Sequence, residues 1–228
     1  MINAVISSKV QTGTSLIQNN RRFFRSILVL LILFFSEGIL FADSYVGKIT
    51  RVQGKVTVSR PGVEQTRLVK AGDTVSTGDL LQTGKDSMVQ LVFTDDSFVN
   101  VLPESALRVN QYSYTPEDSR RTAVIKVLAG RTRFVIYKKR SSGSFTVETG
   151  HASISADISD FMVNDVSEET EVADIGDPII VKNISLLTLD KVRLGTNQKT
   201  VVRGKNPPCQ PSVLTSEQRR KYIRDASF

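Results

Sequence analysis

His151 is the single histidine of this 228-residue chain, and it opens the run His151-Ala-Ser153-Ile-Ser155-Ala-Asp157. Alternate residues of a strand share a face, so an imidazole, two hydroxyls and a carboxylate could line one side there. That is the inventory of a nucleophile triad. Its usual support is missing from the sequence: there is no G-x-S-x-G elbow and no second glycine to build an oxyanion hole. Asp95-Asp96 and Glu168-Glu169 offer the residue types of paired-carboxylate hydrolysis. Adjacent acids point apart on a strand, however, and in a turn they face solvent. One histidine and one cysteine, Cys209, cannot supply the three or four ligands of a zinc site. Asp157, Asp160 and Asp165 lack the D-x-D-x-D-G loop and terminal Glu of a calcium site. The expectation is a non-enzymatic protein with no catalytic residue, no metal and no cofactor.

The stretch AGDTVSTGDLLQTG places glycines at 72, 78 and 84. A phosphate-cradling loop needs four residues between its glycines, then Lys and Ser or Thr. Here five residues separate Gly78 from Gly84, and Lys85 is followed by Asp86, an acid that repels phosphate. Gly72-Asp73, Gly78-Asp79 and Gly84-Lys85 are therefore expected to be corners, each glycine supplying a backbone conformation closed to other residues, with strands of three or four residues between them.

The elements around these corners read as short strands. Val46–Val52, Val56–Arg60, Met88–Phe93, Ser97–Leu102 and Leu107–Tyr112 alternate with period two and are punctuated by Gly, Pro, Asn and Asp. Ala123–Leu128 and Arg131–Tyr137 are expected to form a hairpin at Ala129-Gly130. Ser144–Glu148, Ala152–Ala156 and five further runs between Asp160 and Arg203 continue the pattern. One helix is expected, opened by the capping box Thr215-Ser-Glu-Gln218. Its sizeable apolar groups are Tyr222 and Ile223 alone, which suggests a peripheral position. The fold class is all-β, a short-stranded roll or solenoid-like two-layer sandwich with a short C-terminal helix. From Glu148 to Asp177 there are nine acids and no Lys or Arg, expected to sit in solvated turns and on strand faces.

Arg21, Arg22 and Arg25 precede the nine-residue apolar run Ile27–Phe35, which Ser36-Glu37-Gly38 breaks. A positive flank, a short apolar core and a small residue form the pattern of a secretory signal, with cleavage expected between Ala42 and Asp43. Retention as an anchor is the alternative, although about 20 apolar residues are needed to span a bilayer. Residues 43–205 would be the β domain, and 206–228 a Pro-rich linker and helix. Removing residues 1–42 takes away Lys9, Arg21, Arg22, Arg25 and Glu37, so the formal net charge falls from +7 to +4. Export and this modest charge argue against nucleic acid as a partner. Lys138-Lys139-Arg140, following Phe134, Ile136 and Tyr137, is the candidate interaction patch.

The ordered series Val52-x-Gly54-x-Val56-x-Val58, Leu68-x3-Gly72-Asp73-x-Val75-x-Thr77-Gly78 and Thr83-Gly84-x3-Met88-x-Gln90-Leu-x-Phe93-x-Asp95-x-Ser97 resembles the FecR domain. The likeness continues through Val101-Leu-Pro103-x-Ser105-x-Leu107, Tyr112, Gly130 and Phe145-x-Val147-x-Thr149, covering most of Val46 to Val163. Where that family follows Thr149 with a proline-containing stretch and a Gly-Val-Arg-Gly-Thr-like motif, this chain has His151–Asp157, so no role of that arginine carries over. Anti-sigma members carry a cytoplasmic domain before a single span, and the twenty residues before Arg21 are too few for one. The resemblance implies an exported, periplasmic FecR-like protein acting in signal sensing or scaffolding through contacts with an envelope protein. Binding of cell-wall glycan or another anionic envelope polymer is the alternative.

Overall fold

The computed structural model describes residues 45–137, 142–185 and 189–228. The expected cleavage site Ala42–Asp43 and the basic triplet Lys138-Lys139-Arg140 lie outside the described residues. Strands follow in the order β1 (Tyr45–Gln53), β2 (Val56–Ser59), β3 (Arg67–Leu68), β4 (Thr74–Ser76), β5 (Leu80–Thr83), β6 (Met88–Phe93), β7 (Phe98–Val101), β8 (Ala106–Thr115) and β9 (Arg120–Ile136). Then come β10 (Ser142–Glu148), β11 (Ala152–Ala156), β12 (Ser159–Val166), β13 (Glu169–Asp174), β14 (Ile179–Asn183), β15 (Lys191–Leu194), β16 (Gln198–Arg203) and β17 (Ser212–Val213), and finally helix α1 (Ser216–Asp225).

The pairings define two layers that share β9. The front sheet runs β4-β1-β6-β7-β9-β12-β13-β16-β17. The back sheet runs β3-β2-β5-β8-β9-β10-β11-β14-β15. Every pairing is antiparallel except β9 with β10. Alternation explains the layering. In β6, Val89, Leu91 and Phe93 are buried while Gln90 turns outward to accept a hydrogen bond from Thr50 Oγ1 at 2.7 Å. One apolar core lies between the sheets, with Phe93 stacked on Tyr112 at 4.9 Å between ring centroids and Phe145 edge-on to both Phe93 and Phe134. Each fully buried side chain of this size contributes about 1.5–3 kcal/mol.

The expected hairpin at Ala129-Gly130 is instead a crossing point. β9 is one 17-residue strand whose first half pairs with β8 and β10 in the back sheet and whose second half pairs with β7 and β12 in the front sheet. Gly130 has φ +80°, and a Cβ there would stand 2.3 Å from Ser105 Oγ and 2.7 Å from Glu104 O. The glycine lets the strand change sheets against the β7–β8 corner. Gly72 and Gly78 are positive-φ corners as expected, with β4 and β5 between the corners. Gly84 has an ordinary φ and works as a hub, its carbonyl accepting from Ser87 N at 3.3 Å and Glu104 N at 3.2 Å.

The capping box of α1 forms as expected: Gln218 N donates to Thr215 Oγ1 at 3.1 Å and Thr215 N to Gln218 Oε1 at 3.0 Å. The helix lies at the surface as expected, with none of its own residues buried, yet it is docked on the front sheet. Leu214, Ala226, Tyr222 and Ile223 build a second small core with Met162 and Ala173 of the front sheet and with Leu102 and Ile175, which directly follow β7 and β13. Polar ties hold it there. Asn100 Nδ2 donates to Ala226 O at 2.8 Å, the Tyr222 hydroxyl to Glu171 Oε1 at 2.5 Å, and Arg131 pairs with Asp225 at 3.3 Å. Among the described residues no helix is long and apolar enough to cross a membrane.

Candidate interaction surface

The run His151–Asp157 is divided among separate duties. His151 Nε2 lies 3.3 Å from Ser167 O, and its backbone N–H donates to Thr149 Oγ1 at 3.0 Å. Ser153 is buried in β11 while Ser155 is exposed. The Asp157 carbonyl accepts from Arg121 Nη2 at 2.9 Å.

Several acids expected in solvent are interior. Asp95 is fully buried, because its turn folds the carboxylate back toward the sheets. It accepts from Ser97 N at 3.1 Å and Ser97 Oγ at 2.9 Å and forms an ion pair with buried Arg121. Arg121 also stacks on the Phe145 ring at 5.2 Å. Burial beside Asp95 pushes the Tyr112 hydroxyl well above its ordinary range. Asp165 accepts from Thr170 Oγ1 at 2.6 Å. Asp174 is fully buried, and burial pushes its carboxyl up to about 7; bonds from Ser159 and Gly176 oppose that rise, and the charges of Asp160 and Asp177 add to it.

The remaining acids of the Glu148–Asp177 stretch include three neutralised within the front sheet. Asp160 takes a two-pronged contact from Arg133 at 2.8 and 2.7 Å, Glu169 meets Arg203 at 2.6 Å, and Glu171 meets Lys199 at 2.7 Å. Among the described residues no group of three or more His, Cys, Asp or Glu is placed to hold a metal. Cys209 is exposed, and its backbone N–H donates to Val201 O at 2.9 Å, tying the Pro-rich segment to β16.

What the geometry leaves open is an edge. β3 pairs with β2 on one side, and among the described residues no ladder forms on the other. Leu68 and, in the preceding loop, Val63 are 66% and 50% exposed. Beside Val63 a cavity of about 150 Å³ is lined by Val58, Arg60, Val63, Gln65, Arg67 and Asp79. Asp79 is buried and fixes Arg60 through Nε at 2.9 Å and Nη2 at 3.2 Å, while capping Ser76 N at 2.9 Å. An edge strand with unpaired backbone groups, exposed aliphatic side chains and a fixed guanidinium suits an added strand from another protein. The sequence signals were the Pro61-Gly62 turn and Val63 standing alone ahead of the polar run Glu64–Arg67.

Residues 79–174, from β5 through β13, match the family model described as FecR protein, so this stretch is a FecR domain. The match begins after Gly78 and runs past Val163 to Asp174. Two crystal structures of a "putative anti-sigma factor" from Parabacteroides distasonis share the fold at TM-score 0.50, with 15% and 14% sequence identity. The likeness covers 63% of this chain and 63% and 64% of theirs, less than two thirds of either neighbour. A comparison with curated proteins gives no match.

Proposed function

We propose that this protein is an exported, non-enzymatic regulatory module that acts by binding a partner protein in the cell envelope. The observation that carries this reading is the FecR match over residues 79–174. Structures of like fold described as anti-sigma factors support a role in signalling. The open edge at β3, with Leu68 exposed and the Arg60–Asp79 pair in the cavity that Val63 and Arg67 line, is the contact surface the reading needs. The basic flank and short apolar run ahead of Ala42 support delivery outside the cytosol.

The test is transcript profiling of a strain lacking the protein, complemented with the wild-type chain or with Leu68→Glu at matched abundance. The expected result is a defined set of altered transcripts that the wild type restores and the edge variant does not. Unchanged transcripts, or full restoration by Leu68→Glu, would contradict the proposal.

A further inference from the structure

The outer face of the back sheet carries a row of cations that register alone assembles. Arg108 of β8 stands opposite Lys126 of β9, Lys126 opposite Glu148 of β10, and Glu148 opposite Ser153 of β11. Ser153 stands opposite Lys182 of β14, and Lys182 opposite Lys191 of β15. Directly opposed residues share a face. Five strand steps of about 4.8 Å make the row about 24 Å long, with Glu148 and the buried Ser153 at its centre. Arg193 adds a fifth cation on the same face, two residues along β15 from Lys191.

These cations differ from four on the front sheet, although Lys48 and Arg51 of β1 also lack an acid partner among the described residues. Arg131, Arg133, Lys199 and Arg203 each hold an acid partner. Arg108, Lys126, Lys182, Lys191 and Arg193 form no ion pair or side-chain hydrogen bond among the described residues. Two like-charge pairs, Arg108 with Lys126 and Lys182 with Lys191, are directly opposed, which destabilises a sheet. A local rule broken without an internal partner marks a surface shaped for something outside the chain. Glu148 sits in the middle of the row and leaves a basic pair on either side.

We infer that this face is a docking surface for a flexible phosphate-bearing polyanion. Charge complementarity selects an anion, and the shape of the row selects a flexible chain. Strands twist by about 20–25° per step, so side chains over five steps fan through about 100° or more. A flat bilayer would meet only part of such a row, whereas a linear polymer can follow it. Recognition rests on charge, because among the exposed aromatic residues Tyr45 lies in β1, Tyr137 follows the front-sheet half of β9, and Phe228 packs under Arg51 of β1. Among the described residues the face thus offers no ring on which a base or neutral sugar would stack.

The test is a titration of the full chain with long-chain inorganic polyphosphate, followed by calorimetry across a salt series. The expected result is binding that weakens about a hundredfold between about 50 and 200 mM salt. Lys182→Glu/Lys191→Glu should weaken it at least about tenfold, and Lys48→Glu/Arg51→Glu on the front sheet by no more than about twofold. If circular dichroism shows the glutamate pair misfolded, Lys182→Gln/Lys191→Gln replaces it with the same expected direction. The inference is overturned by absence of polyphosphate binding at low salt or by equal loss in the front-sheet variant. Equal or tighter binding to phosphatidylglycerol vesicles or to polyglutamate overturns it as well.

Discussion

Arg121 and Asp95 form an ion pair in which both side chains are essentially inaccessible, at 1% and 0% exposure. Arg121 comes from the back-sheet half of β9, and Asp95 from the turn that joins β6 to β7 in the front sheet. The pair therefore links the two layers at one end of the core, with Ser97 and the Asp157 carbonyl taking up further donors. Breaking a buried pair leaves a charge with no solvent to receive it, at a cost of about 3–5 kcal/mol. Asp95→Ala should lose about that much in urea unfolding. Arg67→Ala, which breaks the exposed pair with Asp73, should lose about 1 kcal/mol or less.

Asp174 gives the fold a pH dependence of definite sign. Its folded carboxyl is raised to about 7 from an ordinary value of 3.8, chiefly by burial. The folded state thus prefers the neutral acid. That contribution is fully present below about pH 4, falls as the pH rises, and is lost once the pH passes about 7. Asp174→Asn should match the wild type in melting temperature at pH 4 and exceed it at pH 8, provided Asp160 and Asp177 are unchanged. Equal melting temperatures at both values would refute the assignment.

Gly130 and Gly62 both have positive φ, but only one is crowded. A side chain at 130 meets the backbone of Glu104 and Ser105, whereas nothing lies within 4 Å of a Cβ at 62. Gly62→Ala should cost about 1–2 kcal/mol, the conformational penalty alone. Gly130→Ala should cost distinctly more, or prevent folding, when the two are compared by chemical denaturation.

The docked helix rests on few apolar groups and several polar ties. Asn100 is buried, and Asn100→Ala would leave Ala226 O and Gln90 Nε2 without their partner. A loss of about 1–3 kcal/mol is expected. Thr215→Ala should cost about 1 kcal/mol through the cap. Hydrogen exchange should show faster amide exchange in α1 for both variants while β6 and β12 remain protected.

Much of the sandwich was legible because inward residues such as Val89, Leu91 and Phe93 alternate with outward polar ones, a local signal. The capping box at Thr215 was legible for the same reason. Gly130 was misread because a glycine after a strand looks alike whether the chain reverses or changes sheets; only the partners β8 and β12 decide. Asp95 and Asp174 were misread as solvent-facing, since the groups that receive them lie 26 and 15 residues away in sequence at Arg121 and Ser159. The docking of the helix was not legible because Met162 and Ala173, which it packs against, read as ordinary strand residues. The cation row was invisible for the same reason: Lys126 and Lys182 meet only through the register of β9, β10, β11 and β14. Within the candidate surface, the corner at Gly78-Asp79 was anticipated, but the hold of Asp79 on Arg60 was not.

The most direct test of the central claim is site-specific photocrosslinking in living cells, with a photoreactive residue at Leu68 and, separately, at Lys48 on the front sheet. The account predicts a single protein adduct of defined mass at position 68, formed outside the cytosol and lost when Arg60 is replaced by Glu, with none at position 48. Equal adducts at both positions, or none at position 68, would contradict it.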